Sequence, residues 1–242
     1  MLGTLSVVVT LVILALIVVL STGSGIATKD FWLGRLFPHR LAAEVPATTT
    51  GAYAFMAGRE GAPITYSPCR TIRYELNLSE APPGAEGVLG VAIQEVERAT
   101  GLKFEYVGTT KRQPSDKAPL VFRLSQSDAL PVVMTWATSD EAPMLEGDIA
   151  GYAGSSAISV DGRPARYVTG QVVLDADVYE RLLQTPAGSR EARAITMHEL
   201  AHLVGLAHVD DPRELMHSRN VGQREFGPGD RAGLALLGQG RC

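Results

Sequence analysis

Between Ala192 and Met216 the chain reads A-R-A-I-T-M-H-E-L-A-H-L-V-G-L-A-H-V-D-D-P-R-E-L-M, with histidines at 198, 202 and 208. Residues four apart share a helix face, so His198 and His202 can offer their imidazoles to one ion while Glu199 sits beside them. Zinc suits this donor set, since it takes nitrogen ligands at about 2.0–2.1 Å in a tetrahedral site and, where it is catalytic, keeps one position for water. Gly205, three residues after His202, can leave the helical path with positive φ at no steric cost. His208 can then return as the third ligand. Three neutral nitrogens leave the ion its positive charge, which lowers the pKa of a bound water towards about 7. Glu199 can take that proton while the metal polarises a carbonyl, and can pass it to a leaving amine. The chemistry implied is hydrolysis without a covalent intermediate.

The elements that must position these groups follow from the apolar residues between them. Leu200, Leu203, Val204 and Leu206 are expected to pack the helix into the core and hold the imidazoles still. The short pattern H-E-x-x-H is modestly specific. The extended one fixes five positions, which chance supplies in roughly one chain of this length in ten thousand.

His198-Glu199-x-x-His202-x-x-Gly205-x-x-His208 followed by Met216 resembles the metzincin signature with its Met-turn. Leu203 to His208 and Leu215-Met216 are most similar to the matrixin-like peptidases, as is the closing stretch from Phe226 to Gly238. More loosely, Cys69-Arg70-Thr71-Ile72-Arg73-Tyr74 resembles the first strand of bacterial matrixin-like domains. The resemblance implies an α+β zincin-like domain: a twisted mixed sheet of about five strands with an antiparallel edge strand, an active-site helix, a C-terminal helix, and a cleft across them. It implies one catalytic zinc, a peptide or protein substrate added as a strand to the sheet edge near Ala150–Gly154, and Met216 as a packing floor under the metal. An ordinary core methionine would look much the same.

The chain also departs from the family. Its only histidine upstream of the motif is His39, so the histidines of a second, structural zinc are missing. No pro-segment cysteine switch is present as a motif, and Cys69 stands where the first strand should begin. Ser218 occupies the place where some relatives carry a tyrosine. His217 is read as a pocket wall or a neighbour of the ligands in preference to a fourth ligand. Asp210 and Asp211 could orient an imidazole, but Asp211-Pro212 is also ordinary turn chemistry, the reading favoured here. Asp148, Asp175 and Asp177 could serve a calcium ion, as in the family, or be solvated loop residues.

Lys and Arg total 22 against 26 Asp and Glu, a net charge of −4, and no basic run suggests a nucleic-acid partner. Leu2 to Leu20 carries no charge and is long enough to cross a bilayer as a hydrophobic helix. It could equally be the core of a secretory signal cut after Ala27. Residues 1–27 are therefore read as a transmembrane anchor or signal peptide, 28–51 as a linker rich in small and polar residues, and 52–242 as the metallopeptidase domain. Lys29, Arg35 and Arg40 follow the span, which by the positive-inside rule would leave the domain in the cytoplasm. Cys69 and Cys242 argue for the outside. They bracket the domain, and a disulfide between them would persist only in an oxidising compartment; two free thiols are the alternative. The expectation is an extracytoplasmic monomer, secreted or held at the membrane.

Alternating patterns predict strands at 64–66, 71–77, 103–107, 132–137, 149–159 and 171–175. Val88, Leu89, Ala92, Ile93, Val96 and Ala99 recur at helical spacing until Gly101. The stretch 108–130 has weak periodicity and reads mostly as loop. Two further functions compete with zinc-dependent hydrolysis: a non-catalytic zinc-containing module that binds peptides at the membrane, and an anchored structural protein whose histidines hold no metal.

Overall fold

In the computed structural model, which describes residues 39–48, 50–59, 62–115, 129–159, 164–219 and 221–242, the strand pattern becomes one five-stranded sheet. Its members are β4 (Ile72–Asn77), β5 (Phe104–Thr109), β6 (Val132–Ala137), β7 (Gly151–Ile158) and β8 (Arg166–Asp175), ordered β5-β4-β6-β8-β7. The β5–β4, β4–β6 and β6–β8 pairs are parallel, and β7 runs antiparallel to β8 at the edge. The mixed sheet and its antiparallel edge strand match the sequence expectation. β6 reads V-V-M-T-W-A and is buried along its length, as a central strand covered on both faces must be. By contrast β7 is mostly half-buried, and among the described residues no further strand pairs with its outer edge.

Helix α1 (Ala85–Thr100) joins β4 to β5 and buries Leu89, Ala92, Ile93 and Val96, the predicted stripe. It ends at Gly101, whose φ of 72° lets its N–H reach back to the Glu97 carbonyl. After β8 comes α2 (Ala176–Leu182), which the sequence reading missed; the Asp175 carboxylate accepts the Val178 N–H at 2.8 Å and starts it. Then α3 (Pro186–Val204) begins with Thr185 accepting the Gly188 N–H at 3.0 Å and Pro186 in the first turn. The last helix, α4 (Pro228–Leu237), packs near α1 and α3.

Met197, Leu200, Ala201, Leu203 and Val204 of α3 are fully buried against α1 and the sheet, so α3 is the core's central rod. Trp136 and Tyr179 are buried with it, their rings edge to face 6.4 Å apart. Residues 64–66, predicted as a strand, are irregular instead: Thr65 accepts a single bond from the Tyr167 N–H, and Tyr66 turns its hydroxyl inward to Ser155 at 2.6 Å. The strands β1 (Ala54–Phe55), β2 (Gly58–Arg59) and β3 (Ala62–Pro63) are too short to show a pattern in the sequence. β1 pairs antiparallel with β9 (Leu206–Ala207), and β2 pairs with β3.

Residues from Arg40 to Cys242 make one compact unit. The Leu41 N–H donates to the Pro68 carbonyl at 3.0 Å, and Arg40 Nη2 donates to the Gly238 carbonyl at 2.9 Å. Cys69 and Cys242 form a disulfide with their Cα atoms 5.3 Å apart. The hydrophobic segment 1–27 lies outside the described residues, among which no helix is long and apolar enough to cross a membrane.

Candidate metal centre

α3 carries His198 and His202 on one face, and the chain then leaves the helix at Gly205, whose φ is 122°. A Cβ at Gly205 would meet Leu237 Cδ2 at 3.0 Å and Tyr167 Cε2 at 3.2 Å, so a larger residue would be strained by the backbone conformation and would crowd both side chains. The exit sends the chain into β9 and on to His208. We expect Gly205→Ala to cost about 1–3 kcal/mol, the range for a non-glycine residue held at such a φ. It should also weaken metal retention, because His208 hangs from the displaced segment; chemical denaturation and metal content of the purified variant would check both effects.

The three imidazoles converge. His208 Nε2 lies 3.0 Å from His198 Nε2 and 3.1 Å from His202 Nε2. On the far side of two of the rings, His198 Nδ1 donates to the Leu215 carbonyl and His202 Nδ1 to the Leu206 carbonyl, each at 2.8 Å. Those bonds fix the proton on Nδ1 and leave Nε2 of both rings with a lone pair facing inward. His208 can donate to only one of them, so three nitrogens crowd together with fewer protons than they need. A cation relieves that crowding. Three nitrogens bonded to zinc in tetrahedral directions stand about 3.3 Å apart, and the spacings here are close to that.

Burial keeps the rings neutral, which is the ligating form. Desolvation is the main cause holding His198 down at about 3 and His202 at about 4, and neighbouring imidazoles add to it. His208 is also lowered, mainly by burial, with His217 contributing. Glu199 is 6% exposed, and burial pushes its carboxyl up to about 8. Its Oε2 is buried with no hydrogen-bond partner among the described residues. Such an atom is costly to leave unpaired, and Glu199 lines the same cleft as the three imidazoles. Gly151, at the start of β7, makes the approach possible, since a Cβ there would stand 3.0 Å from Glu199 Cγ.

A layer behind the imidazoles, which the sequence reading did not identify, holds them in place. Asp230 in the first turn of α4 accepts the N–H groups of Leu215 at 2.5 Å, Gly227 at 2.9 Å and Met216 at 3.3 Å. The same turn presents the Leu215 carbonyl to His198 and lays Met216, 1% exposed, into the core. Asp230 is thus tied to His198 through one peptide unit. Burial is the main cause raising its carboxyl to about 6; the N–H donors oppose it and buried Glu214 adds to it. The only signal in the sequence is an acidic residue after Gly-Pro-Gly, which by itself reads as an ordinary helix start.

The other candidates fall into place more plainly. His217 lines the cleft, where its Nδ1 lies 2.9 Å from the Arg219 carbonyl, and it is not grouped with the three convergent histidines. Asp211 forms turn contacts to the Arg213 N–H and guanidinium, at 2.6–3.0 Å, and the Nδ1 partners of His198 and His202 are carbonyls instead. Asp175 caps α2. Asp148 lines the cleft, and Asp148, Asp175 and Asp177 form no ligand group among the described residues. The cleft itself, about 750 Å³, runs between the Gly151–Ala153 end of β7 and the side that Leu215, His217, Arg219, Val221 and Gln223 line.

A family model for the matrixins, peptidase family M10, matches residues 105–230, which is 126 of the 242 residues and includes the three histidines, Glu199 and Met216. No curated protein sequence matches the chain. Among solved structures, the chain is similar to high choriolytic enzyme 1, a hatching-enzyme zinc protease from the medaka fish Oryzias latipes. Identity is 12%, with 71% of this chain and 90% of that one covered at a TM-score of 0.38. It is also similar to archaemetzincin from Methanopyrus kandleri, at 15% identity, with 70% of this chain and 94% of that one covered and a TM-score of 0.43. The family match carries the assignment without either of them. With more than half its length matched, the metal-binding motif included, the chain belongs to the matrixin family.

Proposed function

We propose that the protein is a zinc-dependent endopeptidase in which His198, His202 and His208 hold the ion and Glu199 is the general base. The observation that carries this reading is the convergence of the His198 and His202 Nε2 atoms to 3.0 and 3.1 Å from His208 Nε2, in the cleft that Glu199 also lines with a buried carboxylate oxygen that has no hydrogen-bond partner among the described residues. Zinc at that point supplies a positive charge that lowers the pKa of water, polarises a carbonyl and favours the ionised form of Glu199. The chain's own residues do the rest. The Leu215 and Leu206 carbonyls hold the rings in one tautomer, and Gly151 lets the edge strand close over Glu199. Glu199 accepts a proton from the attacking water and returns it to the leaving amine. The open edge of β7 accepts an extended peptide through main-chain hydrogen bonds, which places a peptide bond over the histidines.

We place the domain outside the cytoplasm, secreted or tethered by the apolar segment Leu2–Leu20. The Cys69–Cys242 disulfide supports an oxidising compartment. Elemental analysis of protein purified without added metal should find near-stoichiometric zinc. Cleavage of a mixed peptide library should fall to background with a chelator and return when zinc is restored. Cleavage that survives complete removal of the metal would overturn the proposal.

A further inference from the structure

The cleft has an N-terminal component that the histidine motif does not include. Ala54 and Phe55 pair with Ala207 and Leu206, and the next residue, Met56, donates its N–H to the Gly205 carbonyl at 2.9 Å. This arm is therefore pinned to the turn between the second and third histidines. Met56 lines the cleft together with Ile149 and Val221, and the three are 48%, 46% and 48% exposed. The described residues include eight exposed large hydrophobic side chains, so three of the eight stand in this one groove. Water-exposed apolar surface gathered at one site marks a place where something apolar binds.

The position of Met56 along the groove follows from the helix. Arg193 Nη2 donates to the Arg224 carbonyl at 3.1 Å, which ties this part of α3 to the segment that follows Val221; Ile195, two residues on, and Gly205, which holds Met56, are ten residues apart on α3 and its cap, and at 1.5 Å per residue that is about 15 Å. An extended peptide rises about 3.3 Å per residue, so about five of its residues span the groove, with the histidines between the two ends. Met56 and Val221 therefore meet side chains on opposite sides of the bond being cut. The backbone contact of Met56 is to Gly205, and Ala207, which also lines the cleft, is apolar.

We infer that Met56 is a specificity-determining residue, delivered to the cleft by the N-terminal arm, which selects an apolar side chain of the peptide on the side of the scissile bond remote from Val221. The inference rests on the peptidase reading above. An unbranched thioether suits the task because it adapts its shape to several apolar partners. One apolar contact of this kind discriminates by roughly 10–200-fold in kcat/KM.

The test is cleavage-site profiling of a peptide library by the full chain, by Met56→Leu and by Met56→Glu. Wild type and Met56→Leu should favour apolar residues at the same subsite. Met56→Glu should lower kcat/KM about tenfold or more for peptides apolar there, and shift the subsite towards Lys and Arg, while the apolar preference on the Val221 side remains. An unchanged profile at every subsite in Met56→Glu overturns the inference and leaves the peptidase reading intact. If wild type cleaves nothing, the peptidase reading has failed, and the same library is then scored by binding. Enrichment of apolar residues at one position, lost in Met56→Glu, sustains the role of Met56, and identical enrichment in both proteins refutes it. Melting temperatures of the two variants, whose substituted side chain is half exposed, separate these effects from unfolding.

Discussion

Glu199→Gln should keep the zinc and the fold while lowering kcat/KM for peptide cleavage by about 10²–10⁴-fold, the span that a positioned general base contributes. The substitution is close to isosteric, and the rings of His198 and His202 are held by the Leu215 and Leu206 carbonyls and not by the carboxylate. Metal content should therefore match wild type. Stability should hold or rise slightly, since a buried oxygen without a partner is replaced by a neutral amide group. Together the three measurements discriminate: lost activity with lost zinc would make Glu199 a prop for the metal site, and unchanged turnover would remove it as the base. A loss confined to KM would instead point to substrate binding, since a base acts in the transition state.

Two kinds of order explain which parts of this site could be read from the sequence. The histidines are legible because helical spacing is a local property: residues four apart meet whatever the rest of the chain does. β6 and α1 were legible for the same reason, through a short run of apolar residues interrupted only by Thr135 and a 3.6-residue stripe. Asp230, the Leu215 carbonyl and the Met56 arm act across 14 or more residues of chain, or through backbone atoms that carry no residue-type signal. Short strands fail similarly. β1 and β9 are two residues each, and neither would form without the other's hydrogen-bonding edge. The segment 64–66 alternates like a strand, yet Tyr66 satisfies its hydroxyl on Ser155 and the Thr169 carbonyl, and a tertiary contact outweighs a three-residue propensity.

Replacing Cys69 and Cys242 by serine should cost about 5 kcal/mol, which is the chain-entropy value for closing a loop of this size. The two cysteines are 173 residues apart, so the bond restrains nearly the whole domain when it is unfolded. Against a typical domain stability of about 5–15 kcal/mol, that loss leaves the reduced protein near its threshold. A local effect also arises from the contacts of the C-terminal tail. The Gly238 carbonyl accepts from Arg40, and α4, which ends there, carries the Asp230 that holds the Leu215–Met216 turn. Fraying from the C-terminus inward would loosen that turn and release the Leu215 carbonyl from His198. Denaturant midpoints and zinc release should therefore move together on reduction, with zinc lost at lower denaturant concentration than secondary structure. Cys242 is exposed, so a mild reductant can reach the bond in the native protein without mutation. A midpoint that does not move under full reduction, confirmed by mass, would show that the unfolded chain gains little from being opened and that α4 holds the Met216 turn unaided.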